Sequence, residues 1–226
     1  MDKRVLIIIP AYNEAENIEK VVKSIEGRDY IIINDGSTDD TANICKQNNY
    51  NFIDLPVNLG LIGAFQTGLK YALQNDYSYA LQFDGDGQHQ PQFIDGMVSF
   101  AEETSADIVI GSRFVEQKKP FSARMLGSRL LSGLIWLFTH KKIADPTSGM
   151  RLYNKKTMAK MASDINLGPE PDTISYFLKC KASVKEFQVE MKERQAGESY
   201  LNFTSSIKYM WKMCCSILVL QIMRGR

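Results

Sequence analysis

The sequence predicts an α/β fold, Rossmann-like in outline, in which a mainly parallel sheet is flanked by helices. Three observations support this class: aliphatic runs that suit strands buried on both faces, apolar residues at helical spacing between those runs, and polar turns after them. The alternation continues to about residue 115, which is typical of a doubly wound sheet. A chain of 226 residues suits one large domain with a short appendage.

Composition and charge exclude several function classes. Lys and Arg number 27 against 26 for Asp and Glu, a net charge of +1, so no overall positive field is present for nucleic acid. The four cysteines lack metal-ligand or disulfide spacing, which indicates a reducing, cytoplasmic setting. We expect neither a secretory leader nor a spanning helix, since no apolar run reaches the ~18 residues that spanning requires.

The first half of the chain is predicted to contain five strands, at residues 5–9, 30–33, 51–54, 79–83 and 107–110. Apolar residues at helical spacing predict helices between them. After the second strand, Ser37 or Thr38 can cap the following helix, which leaves Asp35 at the carboxyl edge of the sheet. Open α/β sheets bind ligands at that edge, so Asp35 is a candidate binding residue.

The alternation breaks in the second half. The pattern there predicts an apolar helix over 124–138, a short strand at 152–153, a helix from 168–172 to Cys180, and a last strand over 184–191. Residues 205–223 are helical in pattern, but their uninterrupted apolar core of ~10 residues is below spanning length. Residues 201–226 are therefore predicted to form an amphipathic helix that binds a membrane surface or a partner, although packing on its own domain explains the pattern equally well.

Two carboxylates, Asp84 and Asp86, follow the fourth strand in a segment that Gly85 and Gly87 allow to bend. Mg²⁺ is commonly held by one or two carboxylates while substrate phosphates complete its shell, and the amide oxygen of Gln88 could join them. The alternative is a glycine-rich hairpin turn with solvated aspartates. The motifs upstream and downstream favour the metal site.

Seven motifs in order resemble the inverting glycosyltransferases of family 2 with the GT-A fold, in the branch of dolichyl-phosphate mannose and polyprenyl-phosphate glucose synthases. They are 9–14 (Ile-Pro-Ala-Tyr-Asn-Glu), 34–39 (Asn-Asp-Gly-Ser-Thr-Asp), 58–60 (Asn-Leu-Gly), 84–89 (Asp-Gly-Asp-Gly-Gln-His), 111–114 (Gly-Ser-Arg-Phe), 145–151 (Asp-Pro-Thr-Ser-Gly-Met-Arg) and 193–199 (Glu-Arg-Gln-Ala-Gly-Glu-Ser). The resemblance covers nearly the whole chain. It implies a metal-dependent hexosyltransferase with a nucleotide-sugar donor.

The resemblance also implies that different segments of the chain bind the two substrates. Residues 1–200 would form the catalytic domain, with 1–115 binding the nucleotide sugar and 116–200 binding the acceptor. The implied nucleotide-sugar residues are Pro10, Tyr12, Glu14, Asp35, Asn58, Gly60, Asp84, Gly85 and Asp86, and the implied metal ligands of Mg²⁺ or Mn²⁺ are Asp84, Asp86 and Gln88. The implied acceptor-phosphate residues are Arg113, Arg124, Ser128 and Arg194, and the alternative role of each arginine taken alone is a solvated surface ion pair.

The expected reaction is direct displacement by an acceptor oxygen, with Asp84, Asp86, Asp145, Arg124 and Arg194 as the catalytic set. A polyprenyl phosphate needs no general base, whereas a hydroxyl of a lipid-linked or surface polysaccharide would need one. Asp145, Glu170 and Asp172 are the candidates for that base, with helix capping as their alternative role. A nucleotide-sugar-binding regulator without turnover and a nucleotidyltransferase are the weaker alternatives.

Two departures from the family pattern bear on these expectations. The second motif begins with Asn34 where the family usually has an acid. Many relatives carry transmembrane helices after the catalytic domain, and this chain is expected to be the catalytic-domain form. Such a form would work at the inner, cytoplasmic face of a membrane through its own amphipathic segments or a small membrane-protein partner.

Overall fold

The computed structural model describes residues 4–192 and 203–223 and confirms the α/β class. The strands are β1 (Val5–Ala11), β2 (Tyr30–Asn34), β3 (Phe52–Asp54), β4 (Tyr79–Gln82), β5 (Ile108–Ser112), β6 (Arg151–Asn154) and β7 (Val184–Gln188). The helices are α1 (Ile18–Ser24), α2 (Thr41–Gln47), α3 (Gly60–Gln74), α4 (Ile94–Thr104), α5 (Ala123–Thr139), α6 (Lys155–Ser163), α7 (Pro171–Lys179) and α8 (Phe203–Met223). A 3₁₀ turn, Pro91–Phe93, leads into α4.

The strands form one sheet in the order β3-β2-β1-β4-β6-β5-β7. Every neighbouring pair is parallel except those of β6, which runs antiparallel to both β4 and β5. The carboxyl ends of β1, β2, β4 and β5 therefore share one edge with the amino end of β6. Four loops and the segment that enters β6 meet at this edge.

Helices cover both faces of the sheet. Alternate side chains of β1 are therefore buried on opposite sides. Leu6 and Ile8 join a core with residues of α3, α5, α6, α7 and α8, whereas Ile7 and Ile9 join a core with residues of α1, α2 and α4. Each aliphatic side chain that is fully buried in this way contributes roughly 1.5–3 kcal/mol. The two cores hold the edge loops on a rigid base.

Two local features differ from the sequence expectations. Helix α6 was not predicted; it follows β6 directly, and the Asn154 side chain caps it by accepting from the Thr157 N–H. The predicted Ser37 or Thr38 cap is wrong, because α2 begins later, at Thr41. Both residues instead bond to Asn13 in the neighbouring loop.

The carboxyl-terminal helix α8 packs on the domain through one face. Met213 and Ile217 are fully buried in the core that α5 and α7 share. Met210 approaches Gly127 of α5 so closely that an added β-carbon would lie 3.0 Å from its Cε. The opposite face is apolar and exposed, since Trp211 is 73% exposed. Across the described ranges, each helix is too short or too polar to cross a membrane.

Candidate active site

The loops after β1 and β2 are cross-linked by hydrogen bonds. Asn13, which has φ of 56°, donates its N–H to Ser37 Oγ at 2.9 Å and accepts from the Thr38 N–H at 2.8 Å. The Glu14 N–H donates to Thr41 Oγ1 at 2.9 Å. These bonds give the two predicted nucleotide-sugar loops one fixed arrangement.

Asp35 joins three parts of this edge. Its N–H donates to the Ala11 carbonyl at 2.8 Å, and its buried Oδ1 accepts from the Leu59 N–H at 2.7 Å. Gly36 has φ of +63°, and a β-carbon there would lie 2.7 Å from the Asn58 nitrogen. The structure therefore brings together Asp35, Asn58 and Gly60, three of the residues that are predicted to bind the nucleotide sugar.

The hydrogen bonds of Asn34 explain why an amide can replace the usual acid at this position of the family pattern. Its buried Nδ2 donates to Asp54 Oδ1 at 2.7 Å, and its Oδ1 accepts from Ser37 Oγ at 2.5 Å. An aspartate at position 34 would place two carboxylates against each other, whereas the amide satisfies both neighbours. Asn34 is thus matched to Asp54 on the adjacent strand β3.

The turn that carries Asp84 and Asp86 lies against the loop after β1. A β-carbon on Gly85 would lie 3.3 Å from the Pro10 carbonyl oxygen and 3.4 Å from Glu14 Cγ. Glu14 is buried and accepts from Asn17 Nδ2 at 2.7 Å, and Tyr12 is half-buried in the same loop. The predicted donor residues Pro10, Tyr12 and Glu14 therefore lie beside the predicted metal residues.

His89 holds Asp84 in place. The Asp84 N–H donates to His89 Nδ1 at 2.9 Å, so this ring nitrogen is the acceptor of the contact. Nε2 lies 3.4 Å from Asp84 Oδ2, and Gln82 Nε2 donates to Asp84 Oδ1 at 3.0 Å. Within the described ranges, neither a lysine nor an arginine pairs with Asp84.

Asp84 and Asp86 fit a hard divalent cation. Both are partly exposed, Gly87 has φ of +76°, and Asp86 Oδ1 accepts from the Gln88 N–H at 3.0 Å. Two carboxylates and an amide oxygen are ligands that suit Mg²⁺ or Mn²⁺ when a diphosphate supplies the remaining positions. The described residues form no cluster of three or more His, Cys, Asp or Glu, which would make an all-protein site.

Arg113 and Asp145, predicted separately, form a bidentate ion pair. Arg113 Nε donates to Asp145 Oδ2 at 2.7 Å, and a terminal nitrogen donates to Oδ1 at 3.0 Å. Asp145 is fully buried, while a fifth of the Arg113 side chain stays exposed. Such paired hydrogen bonds orient the guanidinium firmly. The geometry favours Asp145 as the residue that positions Arg113 rather than as a base that reaches the acceptor.

The segment 145–151 spans from this ion pair to the carboxylate turn. Ser148 Oγ donates to the Gly111 carbonyl at 2.5 Å, and a β-carbon on Gly149 would lie 2.5 Å from Asp84 Oδ2. Arg151 is buried and donates to the carbonyls of Pro146, Ser148 and Glu170 at 2.8–3.1 Å. One chain segment thus touches both the predicted metal site and the predicted acceptor site.

Ser128, a predicted phosphate residue, is buried and contacts a lysine that the sequence analysis missed. Lys119 Nζ donates to Ser128 Oγ at 2.9 Å and lies 3.4 Å from Ser132 Oγ. The only feature of the sequence that could have indicated Lys119 is the basic pair 118–119, and before Pro120 that pair is typical of an ordinary loop. Arg124 lies in α5, but its side chain is outside the described set, and Arg194 lies outside the described residues.

Glu170 and Asp172, the other candidate bases, lie at the amino end of α7. Burial raises the pKa of Glu170, Asp172 raises it further, and Lys212 of α8 opposes the rise. Asp172 accepts from its neighbour Thr173 N–H and from Ser216 Oγ of α8. Asp172 therefore anchors α8 to the amino end of α7.

Comparisons with known proteins agree on one family and one fold. The family model described as Glycosyl transferase family 2 matches residues 6–161. The UDP-N-acetylglucosamine--dolichyl-phosphate N-acetylglucosaminyltransferase of Methanococcus voltae is 32% identical over 188 residues, covering 73% of this chain and 74% of its own length. The undecaprenyl-phosphate mannosyltransferase of Micrococcus luteus is 27% identical over 222 residues, covering 88% of each chain.

Among solved structures, glucosyl-3-phosphoglycerate synthase from Mycobacterium tuberculosis, in complex with Mn²⁺, UDP-glucose and phosphoglyceric acid, has a TM-score of 0.65. The likeness covers 99% of this chain and 80% of that chain. At 15% sequence identity it supports the fold alone.

Proposed function

The chain belongs to glycosyl transferase family 2, and we propose that it transfers a sugar from a nucleoside diphosphate to a polyprenyl phosphate, with inversion at the anomeric carbon. Two relatives whose names state a polyprenyl-phosphate acceptor support the acceptor class. The donor class is supported by the residues gathered at the carboxyl edge of β1, β2 and β4. The donor is proposed to carry UDP or GDP.

The observation that carries this proposal is the span of segment 145–151. Its first residue holds Arg113 through two hydrogen bonds, and its Gly149 backbone abuts the Asp84 carboxylate. An acceptor phosphate on Arg113 and a donor diphosphate near Asp84 would thus be positioned by one rigid piece of chain. Such fixed positioning of two anions is what a transfer between them requires.

Each side of the proposed reaction has its own set of residues. Asp35, Asn58 and the loop of Tyr12 and Glu14 would bind the nucleoside. Asp84, Asp86 and Gln88 would hold a divalent cation, which when bound offsets the charge of the leaving diphosphate. Arg113 and Ser128, with Arg124 and Arg194 by family resemblance, would bind the acceptor phosphate.

The proposed step is a single displacement. An anionic oxygen of the acceptor phosphate forms a bond to the anomeric carbon, while the bond from that carbon to the diphosphate oxygen breaks on the opposite face. The nucleoside diphosphate leaves with the electron pair. No proton has to be removed from the acceptor, so Asp145 is free to serve as the positioning residue for Arg113.

The outer surface of α5 and α8 supports work at the cytoplasmic face of a membrane. Leu126, Leu130 and Leu137 form an exposed stripe on α5, and Trp211 and Leu218 form one on α8. The contact between Gly127 and Met210 shows that α5 and α8 pack against each other. Exposed apolar area next to exposed lysines is typical of helices that lie in a membrane interface.

Transfer of radiolabel from UDP- and GDP-sugars into a butanol-extractable lipid tests the proposal. With polyprenyl phosphate, detergent and Mg²⁺ or Mn²⁺, we expect label in an acid-labile lipid and a loss of at least ~100-fold in Asp86→Asn. The exposed histidine variant His140→Gln is the control and should keep full activity. Donor hydrolysis without a labelled lipid would contradict the acceptor assignment.

The raised pKa of Glu170 favours one second candidate, transfer to a sugar hydroxyl with Glu170 as general base. That reaction would lose most of its rate in Glu170→Gln and would rise with pH as the carboxyl ionises. Transfer to a phosphate would keep its rate in the same variant. Parallel assays with both acceptor classes separate the two reactions.

A further inference from the structure

A cavity of about 670 Å³ opens between the chain after β5, helix α5 and the segment before Asp145. Its volume lies in the range of about 300–1,000 Å³ that small-molecule sites occupy. The residues that decide its character are Phe114, Lys119, Ser132, Gly133, Trp136 and Ile143. The lining therefore combines polar groups with aromatic and aliphatic side chains.

The charge around this cavity is mostly positive. Lys118, Lys119, Arg129 and Lys142 line it, and Glu186 is the acidic residue among the described lining. Glu186 is already engaged, since its two oxygens accept from the N–H groups of Ala144 and Asp145 at 2.7 Å. An anion entering the cavity would therefore meet four cationic side chains and one carboxylate that is already hydrogen-bonded.

Among the cations that line the cavity, Lys119 contacts the serines of helix α5. Its Nζ lies between Ser128 Oγ and Ser132 Oγ, and within the described ranges it forms no ion pair within 4.0 Å. Burial lowers the pKa of this ammonium, an effect that Asp145 and Glu186 oppose from a longer range. Arg113, by contrast, already has a carboxylate partner in Asp145. Lys119 is thus the partly buried cation that would gain most from a phosphate beside Ser128.

We propose that this cavity is a binding site for a prenyl phosphate, in which Lys119 and Ser132 extend the Ser128 phosphate site and Phe114, Ile143 and Trp136 contact the first isoprenoid units. The site deepens the proposed function and rests on it for the identity of the acceptor. Ser128, Ser132 and Trp136 recur at one-turn spacing on α5, so the phosphate end and the apolar end lie along one helix face. Free inorganic phosphate could bind only to Lys119 and the two serines, because it has no apolar chain to contact Phe114, Ile143 and Trp136.

Binding is measurable through Trp136, because the chain contains two tryptophans and Trp211→Phe leaves this one as the reporter. In that background, geranyl phosphate should shift the emission to the blue, whereas geraniol and inorganic phosphate should not. Lys119→Gln should raise the dissociation constant roughly tenfold, which corresponds to the loss of about one charge-assisted hydrogen bond. The exposed lysine variant Lys156→Gln is its matched control and should bind like the parent.

A second variant fills the cavity without disturbing the helix. A β-carbon on Gly133 meets nothing within 4 Å, so Gly133→Leu should fold at least as stably as the parent and abolish the emission shift. Ala159→Leu, at an exposed position of α6, controls for an added leucine. Equal binding of geraniol, or an unchanged shift in folded Gly133→Leu and Lys119→Gln, would overturn the site.

The lipid-labelling assay separates this site from the proposed function. Labelled lipid that is unaffected by Lys119→Gln and Gly133→Leu would overturn the site and leave the function standing. Binding of geranyl phosphate with the expected variant effects, but without any sugar transfer, would support the site and contradict the function.

Discussion

At the residue scale, the contact between His89 and Asp84 determines how Asp84, the first predicted metal ligand, is held. His89→Ala would leave the Asp84 N–H without its acceptor in a buried setting, at a cost of about 1–3 kcal/mol of unfolding free energy. We also expect weaker Mn²⁺ binding, measured by titration calorimetry with a nucleoside diphosphate present. Urea unfolding gives the stability, and a variant as stable as the exposed His140→Gln control would contradict this role.

The amide of Asn34 makes a second prediction at the same scale. Asn34→Asp should destabilise the chain by about 1–3 kcal/mol at neutral pH, because it replaces a hydrogen bond to Asp54 with a carboxylate pair. Asn34→Asp combined with Asp54→Asn should recover most of that loss. Thermal unfolding of the two single variants and the double variant measures the coupling, and additive losses would rule out the pairing.

The sequence predicted the candidate site residues but not how each is held. Asp84, Asp145 and Arg113 were all candidates, since carboxylates and arginines after strands mark a site by type and position. Their partners come from segments far along the chain: Asp145 is 32 residues from Arg113. Only the sheet order brings such groups together, and local patterns carry no information on it.

At the element scale, sequence reasoning predicted the short strand β6 but not its antiparallel direction. A parallel sheet was expected from the strand–helix alternation, and the alternation correctly predicted five strands and their polar loops. Four residues of β6 are too few to reveal a direction, and its antiparallel pairing with β4 and β5 depends on the route taken after α5. That pairing places segment 145–151 at the site.

Gly149 tests the consequence of this arrangement. Gly149→Ala would place a methyl group 2.5 Å from Asp84 Oδ2, so the carboxylate or the segment must move. We expect a loss of about 1–3 kcal/mol in stability, typical of overpacking, together with a large fall in kcat. Gly133→Ala, where the added methyl meets nothing, is the stability control; equal unfolding midpoints would show that the contact is unimportant.

The junction of α7 and α8 makes the stability of the fold depend on pH. The folded-state pKa of Glu170 is raised above its unfolded value, so its favourable contribution is present at low pH and is lost as pH rises through the folded pKa. Glu170→Gln should therefore unfold at a higher temperature than the parent at neutral pH, and the difference should disappear near pH 4. A constant difference across this range would contradict the raised pKa.

At the scale of the whole molecule, the exposed apolar stripes of α5 and α8 predict binding to lipid. The parent should sediment with anionic vesicles in low salt, and Trp211→Ser should lower the partition coefficient roughly tenfold, because a large aromatic side chain no longer enters the interface. Ile165→Ser removes an equally exposed side chain outside these two helices and is the control. Equal losses in both variants would exclude a specific surface.

The sheet that collects the site on one edge leaves the other edge without predicted site residues among those that the structure describes. The turns there, which precede β2, β3, β4 and β5, only connect helices to strands. An exposed turn such as Asn48 and Asn49 is a natural attachment point for a fluorescent protein or an affinity handle. For a protein engineer, the candidate site and this attachment point lie at opposite edges of the sheet. Segment 145–151 reaches the site edge because β6 runs antiparallel to β4 and β5.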